Sequence, residues 1–128
     1  MPLSPFRLSA LSCVADALAL PAELFSASEP PSPDLGDIAV GCFPAAKSKK
    51  AAPQELAAQV VAAFRQTEIL KSAEAAGPYV NFRLERAALY EHLFRAALTD
   101  PPALIPTEPG RGRTVCIDYS SPNISKQL

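Results

Sequence analysis

The chain has 128 residues and a mass of 13.6 kDa, with 48% hydrophobic residues, of which 23 positions are alanine, so it can bury one modest core and no second one. Twelve Lys and Arg stand against 13 Asp and Glu, a net charge of -1 that excludes a domain holding nucleic acid by bulk charge while leaving local recognition open. No apolar run reaches membrane-spanning length, and the signal-like stretch from Leu8 to Leu20 is interrupted by Asp16, so a soluble, cytoplasmic protein without membrane association is expected.

In chain order, Ser4 can cap a first helix that starts at Pro5, carries Leu8, Leu11, Val14, Ala15 and Leu18 on one side and ends before Pro21. The alternation from Glu23 to Ser28 suits an edge strand. Pro30, Pro31, Pro33 and Gly36 force a loop, after which Asp37 can cap a second helical segment through Ala46 toward Lys47, Lys49 and Lys50, shortened or kinked by Pro44. Pro53 opens the strongest helix, with Leu56, Val60, Ala63 and Phe64 as its inner stripe. Ile69–Ala75 and Tyr79–Leu84, separated by Gly77-Pro78, predict two adjacent antiparallel strands. A last helix over Arg86–Leu98 puts Leu89, Leu93 and Ala97, with Tyr90 and Phe94, on its buried side, and Asp100-Pro101-Pro102 stops it.

From Pro101 to Arg113 the composition is that of a linker, followed by Val115, Cys116 and Ile117 as a buried strand that runs into a polar turn. A strand of that kind needs a crossover and a neighbour, so residues 106–128 are expected to be the linker and severed opening of a second domain that the chain lacks.

Few residue types here carry chemistry. Cys13, Cys42 and Cys116 are never at metal-ligand spacing and the single His92 has no second ligand close to it in the sequence, so neither structural zinc nor a disulfide scaffold is expected, and no metal site or catalytic residue is assigned. His92 reads as structural, and the glycines form no phosphate-cradling motif. The strand Tyr79-Val80-Asn81-Phe82-Arg83-Leu84 is different, because its pleat sends Val80, Phe82 and Leu84 into the core and Tyr79, Asn81 and Arg83 to the other face. An aromatic plane, an amide and a planar cation are what an unstacked RNA base requires, although a solvated strand face would look the same. Lys47, Lys49 and Lys50 either add phosphate contacts beside that face or only finish a helix. In the tail, Asp118 can meet a cationic ligand, Asn123 an amino or carboxylate group and Lys126 a phosphate.

The tail DYSSPNISK resembles the segment that in arginyl-tRNA synthetases leads into the His-x-Gly-His signature of class I enzymes. GDIAVGCFPAAK, PQELAAQVV and GPYVNFRL resemble, in order, the N-terminal tRNA-contacting domain of that family. The resemblance implies an α+β domain at residues 1–105, a small antiparallel β-sheet with helices packed on it that touches the D-loop corner of the tRNA for arginine. Residues 106–128 would then be the linker and the first strand of a missing nucleotide-binding catalytic domain. It maps the family's base-engaging aromatic and asparagine onto Tyr79 and Asn81, beside which Arg83 is added from the spacing alone. It maps arginine-binding residues onto Asp118, Ser121 and Asn123, and places Lys126 near ATP. In the full enzyme L-arginine and ATP with magnesium are substrates; this stretch alone, lacking the signature and needing no cofactor, would recognise tRNA without charging it. Two departures stand out: the Gly-Pro turn lacks the additional glycine often found before the aromatic position, and the catalytic signature is absent. The alternative, from a different class, is a protein-binding or assembly module that contacts neither RNA nor DNA.

Overall fold

The computed structural model describes residues 4–104 and 110–117. Helix α1 spans Ser4–Leu18 and buries Phe6, Ala10, Val14, Ala15 and Leu18. Leu8, expected on that stripe, is exposed: it lies two residues, about 200° of helix rotation, beyond Phe6, which takes the inward place instead. Of the expected edge strand at Glu23–Ser28, only β1 (Ala27–Ser28) pairs, because the residues after Pro21 close into a 3-10 turn at Ala22–Leu24.

The largest departure from the sequence pattern follows. Instead of a helix from Asp37, Ile38–Gly41 forms β2, and α2 begins only at Phe43 and runs to Lys49. Ile38, Ala39 and Val40 are all buried, so the run has no alternation, and an unbroken apolar run of four fits a covered strand as well as a helix turn. Pro44 then falls in the first turn of α2, where its missing N–H costs nothing.

Helix α3 spans Pro53–Ala63 and buries Leu56, Ala57 and Val60; Ala63 faces outward and Phe64, just past the helix, is half-buried. Strands β3 (Leu70–Ala76) and β4 (Tyr79–Leu84) are antiparallel, as the sequence predicts. Gly77, at φ 58°, opens their two-residue loop in the conformation that a type II′ hairpin reserves for glycine. The sheet order is β1-β2-β4-β3, with every neighbouring pair antiparallel. This is the α+β architecture anticipated above, with α1 and α3 packed on one sheet face and β4 at its centre. Val80, Phe82 and Leu84 point into that core, and the Phe64 ring lies 6.2 Å from that of Phe82.

Helix α4 (Arg86–Thr99) has no fully buried residue. It touches the body along a narrow strip, where Ala88 and Leu89 rest on the core and the His92 ring stands edge-on to Phe6 at 5.4 Å. Tyr90, Phe94 and Ala97, expected on the buried side, are therefore exposed together with Leu98, since they lie on a row of the helix that no described element covers.

Residues 113–117 pair with no described strand, and Val115 and Ile117 are exposed rather than buried. Asp118, Ser121, Asn123 and Lys126 lie outside the described residues.

Candidate functional site

The outward face of β4 gains its shape from small neighbours. Tyr79 pairs in register with Gly41 on one side and Ala76 on the other, and Asn81 pairs with Ala39 and Glu74. Side chains opposite each other in a ladder share a face, so glycine and alanines beside Tyr79 and Asn81 leave a depression. The proline-rich segment 29–36 crosses this face and closes the depression into a cleft of about 310 Å³, with Pro31 and Leu35 opposite Tyr79 and Asn81. That is small-ligand size.

The crossing segment is fastened to β4. The Arg83 guanidinium donates to the Asp34 carbonyl at the 3-10 turn Pro33–Leu35. Asp37 N–H donates to the Phe82 carbonyl at 2.8 Å. The Asp37 carboxylate accepts from Leu84 N–H at 2.9 Å through Oδ2 and from Arg86 at 2.9 Å through Oδ1. Between these, Gly36 at φ 142° passes so close to β4 that a Cβ there would stand 2.9 Å from the Phe82 carbonyl oxygen. Side-chain bonds, backbone bonds and a glycine contact thus fix one wall of the cleft to its floor. Asp37, expected as a helix cap, is the clasp of this wall.

Within the cleft the three predicted residues differ. Tyr79 is 41% exposed, with its ring edge-on to Phe43 at 5.6 Å. Asn81 is only 4% exposed, yet its amide makes no hydrogen bond to a described residue, and no buried polar side-chain atom of the described residues lacks a partner. Its donor and acceptor therefore open onto the cleft. Arg83 shares the face, but its cation is engaged with the Asp34 carbonyl. Ser28, whose hydroxyl donates to the Ala39 carbonyl at 3.4 Å, and Glu29, 3.7 Å from Arg7, complete the polar rim.

Leu35, Asp37 and Phe43 belong to this arrangement and were not legible as site residues. The one available signal was the dense proline loop ending in Gly36-Asp37 ahead of an apolar run. Nothing in the cleft provides an activated nucleophile. Burial raises the Cys42 thiol above its ordinary range, and burial, then the nearby Asp16 carboxylate, raises Cys13, so both stay protonated at neutral pH. Among the described residues no cluster of His, Cys, Asp or Glu could hold a metal ion. The arrangement can stack a planar group and read its polar edge.

The chain is similar to known proteins of one kind. Residues 9–84 match the family described as arginyl tRNA synthetase N terminal domain. The arginine–tRNA ligase of Clostridium beijerinckii is 37% identical over 97 residues, and that of Streptococcus agalactiae is 39% identical over 97; each alignment covers 76% of this chain and 17% of the relative. The solved arginyl-tRNA synthetase of Thermus thermophilus superposes with a TM-score of 0.55 at 29% identity, covering 72% of this chain and 15% of that one. The match takes in α1 from Ser9 through the end of β4, and with them both walls of the cleft. The chain thus spans about one sixth of the relatives it matches, and it belongs to the arginyl-tRNA synthetase N-terminal domain family.

Proposed function

We propose that this chain is the tRNA-recognition head of an arginine–tRNA ligase, and that the β4 cleft takes one unpaired base from the D-loop region of the tRNA for arginine. The observation that carries this reading is the Asn81 amide, bonded to no described residue and open to the floor of a cleft whose side wall is Tyr79, although the residue as a whole is nearly covered. Its donor and acceptor are left to water, and so to a base edge that displaces that water. Tyr79 supplies the stacking surface, and Leu35 and Pro31 the opposite wall. Arg83 serves the site by holding that wall.

Stacking of one base contributes about 1 to 3 kcal/mol, enough to discriminate but not to hold tRNA tightly. Attachment of L-arginine with ATP and magnesium, through Asp118, Ser121, Asn123 and Lys126, would belong to the full-length cytoplasmic enzyme, whose catalytic domain residues 106–128 would introduce. The chain by itself is not expected to charge tRNA.

Titration with the tRNA for arginine and with a scrambled RNA of equal length tests the reading. Preferential binding of the tRNA, lost in Asn81→Ala, supports it; equal binding of both RNAs, or an unaffected Asn81→Ala, overturns it. The protein-binding alternative draws on one observation, the exposed row Tyr90, Phe94 and Leu98 of α4, and gains if neither RNA binds.

A further inference from the structure

Phe43 has so far been only the ring against which Tyr79 stands, and the lysines after it have no part in the cleft. Gly41, in register with Tyr79, carries no side chain between the two rings: a Cβ there would lie 3.2 Å from Phe43 Cδ2 and 3.3 Å from Tyr79 Cε1. The glycine therefore lets the rings meet edge-on, at an interplanar angle of 80°, and Phe43, beside the Tyr79 wall of the cleft, is 47% exposed. A large aromatic held in contact with the side wall of a site and still half open to solvent is a second platform.

Four residues on, one helical turn along α2 from Phe43, stands Lys47, and Lys50 follows three residues later at the helix end. At about 1.5 Å per residue these cations lie roughly 6 and 10 Å beyond the ring along the helix. Lys47, Lys49 and Lys50 are exposed, and none takes part in an ion pair among the described residues. Away from α2 the cleft is lined by Glu29, itself 3.7 Å from Arg7, while Glu74 pairs in register beside Asn81. Three cations are thus gathered along α2 and at its end, following the Phe43 ring, although the whole chain is nearly neutral. Lys50 also occupies the left-handed region, φ 50° and ψ 41°, a place that glycine fills at lower cost.

Building on the base-binding reading of the Tyr79 cleft, we propose that the RNA strand leaving this cleft runs along α2, with Phe43 stacking a second base and Lys47 and Lys50 contacting its phosphates. The site is then a directional groove for at least two nucleotides of single-stranded RNA, its phosphates toward α2 and its first base toward Asn81. Cations at a helix end also complement the helix dipole. That role alone would move stability and leave RNA binding untouched.

The experiment is the affinity of the chain for the tRNA for arginine as a function of salt. Each single-stranded phosphate contact adds about 0.7 to the slope of log affinity against log salt, so the double variant Lys47→Gln/Lys50→Gln should lower that slope by about 1.4. Lys50→Gly should lower it by about 0.7 while raising the thermal midpoint, opposite signs that a purely structural lysine does not produce. Phe43→Leu should weaken binding about five-fold or more and Phe43→Tyr should restore it. An unchanged slope in the double variant, with Tyr79→Ala still damaging, overturns the α2 track and leaves the cleft standing. If Tyr79→Ala is silent as well, or the unmodified chain does not bind at low salt, the base-binding reading falls too.

Discussion

Two regions of this domain expose aromatic side chains, the β4 cleft with Tyr79 and Phe43 and the outer row of α4 with Tyr90 and Phe94, and they are built in opposite ways. In the cleft the ring stands beside an amide that no described residue engages and that opens onto the cleft, under a loop fastened by Arg83, Asp37 and Gly36. On α4 the rings stand on a helix without a buried residue, which they share with the exposed Glu91–Arg95 ion pair at 2.8 Å. Exposure of aromatic surface is common to both; convergence of shape, polarity and rigidity is confined to one. Recognition of a small planar group needs that convergence, because each loose side chain must be ordered at the moment of binding.

Changes to the residues beneath and above the cleft should break this contrast most severely. Phe82→Ala removes a fully buried ring under its floor and should cost about 3 to 5 kcal/mol in chemical denaturation. Gly36→Ala places a methyl against the Phe82 carbonyl at a positive φ, and should cost about 1 to 3 kcal/mol while loosening the Leu35 wall, so that RNA affinity falls with stability. Tyr79→Ala separates the two quantities, lowering RNA affinity by about 1 to 3 kcal/mol with much less change in the denaturation midpoint. Phe94→Ser on α4 should move stability by no more than about 0.5 kcal/mol and leave RNA binding unaltered.

The thiols sharpen the picture of the core behind the cleft. Because burial raises the Cys42 thiol, the folded chain holds that proton more tightly than the unfolded one. The associated stability is complete below the ordinary thiol range and is lost as pH climbs through and above it. Denaturation midpoints measured from neutral to strongly alkaline pH should therefore fall, and fall less in Cys42→Ala. At neutral pH an alkylating probe should modify exposed Cys116 and spare Cys42 until unfolding.

The hairpin Leu70–Leu84 was legible because two short runs flank Gly77-Pro78, a spacing that suits adjacent antiparallel strands, while the bulge between Leu70 and Ser72 was not. It also put Tyr79, Asn81 and Arg83 on one face, and the structure keeps them there. What the pattern could not carry was context. Ile38–Val40 has no alternation because the loop and the core cover both of its faces, so it looked like part of a helix, and with it Asp37 looked like a cap. The row of Tyr90 and Phe94 matched a helix period well, but periodicity reports an apolar side without saying whether anything covers it. Arg83 illustrates the same gap at one residue: its place on the strand was correct, while its tie to the Asp34 carbonyl depends on a loop 49 residues earlier in the chain.

The most direct test of the cleft is to follow backbone amide resonances of the chain by NMR while adding the tRNA for arginine. Recognition at β4 predicts the largest shifts at Leu35, Tyr79 and Asn81, with the outer row of α4 unmoved. Shifts centred on Tyr90, Phe94 and Leu98, with Asn81 silent, would contradict it.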